Sequence, residues 1–364
     1  MHDDGSIDIS VLIPTLNEER YIEAAVTAMR RQRFDGQIEF VFADGRSTDR
    51  TRQILESLAR EDSRIRVFEN PNRTVSSGLN VALRHARGRY IARMDAHTEY
   101  PPDYLALGVQ RLEQGGTRWV SGPQVPVGHG RISRAVAIAL STPLGRGGSR
   151  KWGTTGDISQ PEYELDSGIF AGVWEHSTLR EYGGWDERWP RNSDSEMAGR
   201  FLGHGEKLIC VPAMGAAYVP RDSLRGLWRQ YRDYGRYRFK TAGRHPHTLR
   251  RSHLLAPGIV VASAASVWSP RRLRTAARAG VAVYVATLAG TAVRAALAGE
   301  RPGEALLVAP ALAVMHFGHG IGALQSIAED GVPVDAFASV LGVGGKSSSD
   351  SSPARAHAPS LAAP

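Results

Sequence analysis

Over roughly its first 125 residues the chain switches between two hydrophobic rhythms. Short apolar runs, IDISVLIPT (Ile7–Thr15), IEFVFAD (Ile38–Asp44), IRVFEN (Ile65–Asn70), RYIARMDAH (Arg89–His97) and RWVSGPQV (Arg118–Val125), predict strands. Between them lie segments whose apolar residues recur at helical spacing. These are EERYIEAAVTAMRRQ, a stretch with Ile54, Leu55 and Leu58 on one face, TVSSGLNVALRHARG, and DYLALGVQRLEQGG with its glycine stop. Continuous apolar strands separated by helices mark parallel strands covered on both faces. The expected fold class is therefore α/β, a mostly parallel sheet flanked by helices.

The pattern loosens over residues 126–190, where LGRGGSRKWGTTGD (Leu144–Asp157) reads as a mobile loop. A helix is expected from about Ser193, then a strand through Cys210. Past Leu254 the composition becomes apolar. Leu254–Trp268 carries no charge but is short for the ~20 residues a spanning helix needs. Ala279–Gly299 is long enough, with Arg294 near its end where it can snorkel. Ala305–Ala328 is a further candidate, and the final Ser/Ala/Pro-rich stretch reads as disordered. The expected partition is a catalytic domain over 1–222, with a nucleotide-binding half to 125 and an acceptor half over 126–222. A basic amphipathic interfacial segment (223–252), membrane-associated helices (253–328) and a flexible tail (329–364) complete it.

Charge sharpens this division. The chain carries a net +8, yet Arg221–Arg278 alone holds fourteen Arg or Lys against Asp222 and Asp233, so the remainder is acidic on balance. A basic block beside apolar segments fits an anionic membrane surface better than nucleic acid. Positive-inside logic places Arg221–Arg251 and Arg271–Arg278 in the cytoplasm. Leu254–Trp268 then dips into the membrane or lies at its interface, and the two later segments form a hairpin; the alternative is that all three segments cross. Cys210 is the only cysteine, which excludes intramolecular disulfides and cysteine-cluster zinc sites. The acidic N-terminus lacks the apolar core of a cleavable signal. A cytoplasm-facing catalytic part is expected.

Three polar clusters fall where strands end: Thr15–Glu18, Asp44–Asp49 and Asp95–His97. Strand ends are where open α/β sheets bind ligands. Asp44 is placed to accept a hydrogen bond from the N3–H of a pyrimidine. Residues i and i+2 of a strand share a side, so Asp95 and His97 can aim a carboxylate and an imidazole at one divalent cation bridging two phosphates. Carboxylate oxygen suits Mg2+ or Mn2+, and the imidazole tilts toward Mn2+ without deciding it.

SVLIPTLNEERYI, FADGRSTDRT, NPNRTVSSGLNVALRHARGRYIARMDAH and GGWDERWPRNSDSEMAGRFLGHG together resemble family 2 glycosyltransferases of the GT-A fold. The resemblance spans about residues 8–245 and is nearest to membrane-associated bacterial enzymes that extend lipid-linked exopolysaccharide units. It implies that Pro14, Thr15 and Glu18 form the first nucleotide-contacting loop and that Asp44 binds the base. Arg73 and Ser77 then meet the nucleotide sugar, and Asp95 and His97 stand for the family's D-x-D, with histidine in its last position. RNSDSEM matches the segment carrying the catalytic base, so Asp194 is the candidate and Glu196 its runner-up. Ser193 stands where glutamate is frequent, and helix capping by Ser193 or Asp194 is the competing reading. The implied chemistry is one in-line displacement with inversion, from a UDP-hexose to a polyprenyl-diphosphate-linked sugar. Arg236 and Tyr237 fall where processive relatives carry Q-x-x-R-W. The missing tryptophan points to transfer of a single sugar, while a basic helix on lipid headgroups accounts for the segment equally. A nucleotidyltransferase would want a basic, glycine-rich loop after the first strand, where PTLNEER is acidic. A non-catalytic, membrane-anchored sugar-nucleotide binder is opposed by the intact Asp44, Asp95 and Asp194.

Overall fold

The computed structural model describes residues 6–152, 159–169 and 171–342. The chain forms two compact units. Among the described residues, the first comprises those up to Val125 with 159–217, and the second 126–152 with 218–342. This differs from the expected halves, because residues 126–152 cluster with the C-terminal helices and not with the rest of the expected acceptor half.

In the first unit β1 (Ile9–Thr15), α1 (Ile22–Arg30), β2 (Ile38–Asp44), α2 (Thr51–Glu61), β3 (Ile65–Glu69), α3 (Val75–His85), β4 (Tyr90–Arg93), α4 (Tyr104–Glu113) and β5 (Trp119–Ser121) alternate as expected. After β6 (Gln124–Pro126), and past α5 and α6 of the second unit, come β7 (Tyr163–Leu165), β8 (Gly172–Glu175), α7 (His176–Glu181), α8 (Ser193–Gly203), β9 (Leu208–Cys210) and β10 (Ala216–Tyr218). Eight strands form one sheet in the order β3-β2-β1-β4-β8-β5-β9-β7, and β6 pairs with β10 in a separate ribbon. β1 to β4 are mutually parallel, whereas β8 runs antiparallel to both β4 and β5.

Every residue of β2 is buried, which is why its sequence shows no alternation. Val11 and Ile13 of β1 pack with Ile22, Val26 and Leu55 on one face, and Leu12 with Leu79 and Trp174 on the other.

Two strands are shorter than their apolar runs. RYIARMDAH leaves the sheet at Arg93, because β1 and β8 pair with β4 only over Tyr90–Arg93. The Met94 N–H reaches Leu12 O, and the chain then turns with Thr98 N–H donating to Asp95 O. RWVSGPQV divides into β5 and β6 at Gly122, where a Cβ would lie 1.8 Å from the Met214 carbonyl oxygen.

The second unit contains α5 (Arg131–Leu140), α6 (Pro143–Arg146), α9 (Leu224–Arg244), α10 (Leu255–Trp268), α11 (Arg271–Leu297), α12 (Pro302–Asp330) and α13 (Val334–Leu341). The segment expected as a loop over Leu144–Asp157 thus begins inside α6, capped by Thr142, and its residues 153–157 lie outside the described ones. The basic segment is α9, and its inner face is packed against α12. Leu227 belongs to a core with Val136, Leu312 and Met315, and Phe239 to one with Ala323 and Ala336. The expected flexible tail is helical over Val334–Leu341, because Ala336 and Val340 have that core to enter; residues 343–364 lie outside the described ones. α11 and α12 are long and apolar enough to cross a membrane; α11 is almost wholly exposed, and α12 is half-buried.

Candidate active site

The sheet order creates a switch point. From β1 the chain steps outward through β2 and β3, then returns to place β4 on the other side of β1. Loops leaving the carboxyl ends of the neighbouring strands β1 and β4 lie beside one another at the strand ends, where such sheets bind ligands. Among the described residues, four non-glycines have positive φ: Asn17 (57°), Arg46 (55°), Arg73 (59°) and Asn192 (59°). The first three follow β1, β2 and β3, and the fourth opens α8. Left-handed backbone at arginine costs on the order of 1–3 kcal/mol and persists where its surroundings over-determine it.

Asp44 is fully buried beside Thr15, its register partner on β1, with Pro14 opposite Ala43. Its carboxylate accepts from Ser47 Oγ at 2.6 Å and from the Ser47 N–H at 3.1 Å. Ser47 Oγ in turn accepts from the Asn17 N–H, and Asn17 Oδ1 accepts from the Thr48 N–H at 2.8 Å. The Glu18 N–H donates to Thr51 Oγ1 at 2.7 Å. The loops after β1 and β2 are thus strapped into one wall around the expected base-binding carboxylate.

The loop after β3 is clamped from α3. Arg73 is held by its N–H to Asn70 O. Ser77, expected to meet the nucleotide sugar, is instead buried in the α3 cap: its N–H donates to Thr74 Oγ1 and its hydroxyl to Asn70 Oδ1 at 2.7 Å. It shapes the loop that carries Arg73. Asn80 bonds Trp185 through both ends of its amide, at 2.8 and 2.9 Å, and Ser76 donates to Trp189 O at 2.7 Å. Glu187 accepts from both Asn80 and Asn72. The GGWDERW turn leading to α8 is thereby fixed to α3.

Asp95 and His97 do not share a strand, and the expected i, i+2 alignment within β4 does not hold. The pair that spans the strand end is Arg93 and Asp95. Arg93, 5% exposed, grips both Asp95 oxygens, Nε at 2.9 Å and an Nη at 3.0 Å. Burial works against its charge, but Asp95 and then Asp194 more than offset this and raise the guanidinium pKa. The Asp95 N–H donates to the Tyr100 hydroxyl at 2.9 Å. His97 Nδ1 lies 3.1 Å from Glu18 Oε1, so the loops after β1 and β4 meet there.

Asp194 occupies the first turn of α8, half-exposed, and Asn192 is the N-cap, so neither Ser193 nor Asp194 caps the helix. A carboxylate in the first turn is favoured by the helix dipole. Gly168 allows the close approach that places this turn, since a Cβ there would lie 2.2 Å from Asp194 O. Glu196 is fully buried, and Arg200 spans both its oxygens at 3.1 Å. Arg200 also donates to Tyr182 O and Gly184 O. Glu196 thus anchors the turn before α8. Arg236 and Tyr237 belong to α9 of the second unit; Arg236 pairs with Glu329 of α12 at 2.6 Å, and Tyr237 lies beneath Arg236 and Lys240. Arg93, Asn17, Ser47, Asn80 and Glu187 were not singled out by the sequence.

Residues 10–160 match the family described as Glycosyl transferase family 2. The succinoglycan biosynthesis protein ExoA of Rhizobium meliloti (strain 1021) is 33% identical over 238 residues, covering 65% of this chain and 70% of the relative. The chain belongs to glycosyl transferase family 2. A Methanococcus voltae relative of this glycosyltransferase, the dolichyl N-acetyl-alpha-D-glucosaminyl phosphate 3-beta-D-2,3-diacetamido-2,3-dideoxy-beta-D-glucuronosyltransferase, is 23% identical over 236 residues. It is covered to 71%, with 62% of this chain. The mannosyltransferase PcManGT from Pyrobaculum calidifontis, solved with GDP-Man and Mn2+, matches over 90% of this chain and 88% of its own, with TM-score 0.55 and 20% identity. That likeness is one of fold. The family 2 transferase here is accordingly an α/β protein of GT-A type, followed by C-terminal apolar helices.

Proposed function

We propose that this glycosyltransferase moves one sugar, with inversion, from a nucleotide sugar of the UDP-hexose class to a lipid-linked saccharide in exopolysaccharide or cell-surface glycan synthesis. The observation that carries the reading is the switch point between β1 and β4, flanked by Asp44 on one side and by Glu18, His97 and the Arg93–Asp95 pair on the other. Asp44 receives the base, and Pro14, Thr15 and the strapped loop beyond them line the nucleoside. Arg73, held at positive φ, faces the sugar nucleotide with Ser77 as its support.

A divalent cation, Mn2+ or Mg2+, fits the donor set as an ion that arrives with the phosphates. Such ions are held by one or two side chains plus phosphate oxygens. Among the described residues no three His, Cys, Asp or Glu form an all-protein site. Asp95 and His97 would hold it. Glu18 at His97 Nδ1 is the orienting carboxylate a metal-ligating imidazole commonly has. When bound, the cation neutralises charge on the leaving diphosphate. Asp194 takes the proton from the acceptor hydroxyl, and Arg93 lies within electrostatic reach of both Asp95 and Asp194.

The ExoA likeness supports the exopolysaccharide setting, and α11 and α12 support a place at the cytoplasmic membrane. The cations of Arg271–Arg278 at the start of α11 favour a cytoplasmic catalytic face. The test is release of free UDP or GDP by the purified chain from a panel of nucleotide sugars, with and without Mn2+. Turnover with at least one UDP-hexose is expected; no hydrolysis or transfer from any donor, with binding intact, overturns the enzymatic reading.

A further inference from the structure

The loop after β3 and the turn before α8 are joined through a side chain that this chemistry leaves unused. Glu187 Oε2 accepts from Asn72 Nδ2 at 3.2 Å, and Glu187 Oε1 accepts from Asn80 Nδ2 at 3.0 Å. Asn72 is the neighbour of Arg73, whose φ of 59° shapes that loop. The same loop is tied to the strand end that carries Asp44, because the Asn70 N–H donates to Asp44 O at 2.7 Å. On the other side Asn80, 3% exposed, seats the turn on α3 through both ends of its amide, which bond the Trp185 backbone. Gly184 makes that seat close, since a Cβ there would lie 2.5 Å from Asn80 Oδ1. Beyond Glu187 the chain passes Trp189, whose carbonyl Ser76 holds, and reaches Asn192 and then Asp194 in the first turn of α8.

Glu187 and Asn72 are both exposed, and they stand 115 positions apart in the chain. Water competes for both groups, so a hydrogen bond between them contributes little to folding stability. What it fixes is a distance. One end of the bond belongs to the loop that carries Arg73, and the other to the turn that leads to Asp194. Transfer is steep in that distance, because a misplacement of about 1 Å costs on the order of 10² in rate. We propose that Glu187 is a positioning residue that couples the Arg73 loop to the Asp194 turn, holding nucleotide sugar and base in register. This rests on the transferase reading for the reaction it serves, but not for the contact itself.

The test exchanges donor and acceptor across the bond. Glu187→Gln keeps one oxygen for Asn80 and turns an NH2 group toward the NH2 group of Asn72, so the Asn72 bond is lost. With the UDP-hexose that turns over fastest, kcat for UDP release should fall about tenfold while UDP affinity changes by less than about twofold. The denaturant midpoint should not move. Asn72→Asp alone sets two carboxylates against each other and should slow release at least as much. Asn72→Asp with Glu187→Gln restores the bond in reverse, and kcat should return to within about threefold of the parent chain. Arg188→Gln, in the same turn and paired with Asp186, should leave kcat unchanged. A double variant as slow as the two single losses multiplied, or an equal fall in Arg188→Gln, overturns the coupling. Amide hydrogen exchange of the full chain reads the contact without turnover: residues 71–74 and 186–190 should exchange faster in Glu187→Gln and recover in the double variant. Exchange unchanged in every variant overturns the link. A parent chain that turns over no donor, with the exchange pattern as expected, would overturn the transferase reading and leave the link standing.

Discussion

Asp194 and Glu196 stand two residues apart in the first turn of α8, and their surroundings separate their work. Asp194 is half-exposed and acts on Arg93, whereas Glu196 is sealed under Arg200. Asp194→Asn should leave donor affinity nearly unchanged and lower transfer by about 10²–10⁴, the usual worth of a general base. Glu196→Gln should act on folding, costing about 1–3 kcal/mol in denaturant unfolding as Arg200 loses its charged partner. A larger loss of transfer in Glu196→Gln at unchanged stability would move the base to Glu196. Arg93→Gln strips Asp95 of its grip, and the expected result is a weaker donor complex with the fold retained, read by titration with UDP and Mn2+. Donor affinity equal to the parent chain would show the pair to be structural. Asp44, Asp95 and Asp194 were nominated by the sequence because each closes a recognisable run or motif. Arg93 was not, since its meaning depends on β1 and β8 burying it beside Asp95. Ser77 and Glu196 were nominated too, and both are buried in hydrogen bonds to protein neighbours; a polar residue in a motif looks the same in sequence whether it faces ligand or satisfies a buried neighbour.

At the scale of elements, the helices and strands of the first unit follow the apolar rhythm closely, because β1, β2 and β4 are buried on both faces and α1 and α2 on one. What pattern could not show was where β4 and β5 lose their partners. One fastening between elements is pH-sensitive. Asp62, the C-cap of α2, is bonded by Arg64 and by Arg30 of α1; those arginines, led by Arg64, hold its carboxyl down at about 2. A carboxyl depressed in the folded state contributes stability above its unfolded pKa and loses it as pH falls through the folded one. That contribution, about 2 kcal/mol, should be full above pH ~4 and fade toward pH ~2. Asp62→Asn should lower stability at pH 6 and flatten this limb, seen by comparing denaturant midpoints at pH 6 and pH 3. In the second unit α9 and α12 touch backbone to backbone at Gly322, where a Cβ would lie 1.9 Å from Arg232 O. Glycine to alanine inside an exposed helix ordinarily stabilises by up to about 1 kcal/mol. Gly322→Ala should instead destabilise by about 1–3 kcal/mol through overpacking. Gly290→Ala in α11, with nothing within 4 Å, is the control for propensity alone. A stabilised Gly322→Ala would mean the two helices do not meet there.

For the whole molecule, the question is what covers α11. Val283 (67% exposed), Val285, Val293 and Leu297 face outward from it, and Trp268 is exposed just before the arginines that open it. Those arginines and an aromatic residue are what a helix carries where it meets headgroups. α9 is cationic too, but its inner face is committed to α12, so a chain ended after Arg251 would bare Leu227 and Phe239 and should aggregate. A cleaner test keeps every helix. Val283→Asp with Val285→Asp alters only outward positions near the middle of α11, so unfolding of the chain in detergent should be unchanged. A charge at the centre of a spanning helix opposes insertion by about 2.5–3.5 kcal/mol each, enough together to reverse membrane partition. The variant should stay at the bottom of a flotation gradient with phosphatidylglycerol vesicles at high salt, where attraction through the basic block is screened. The parent chain should float. If both float alike, lipid does not cover α11. A variant that floats but sediments at half the parent mass in detergent would assign that face to a second copy of the chain.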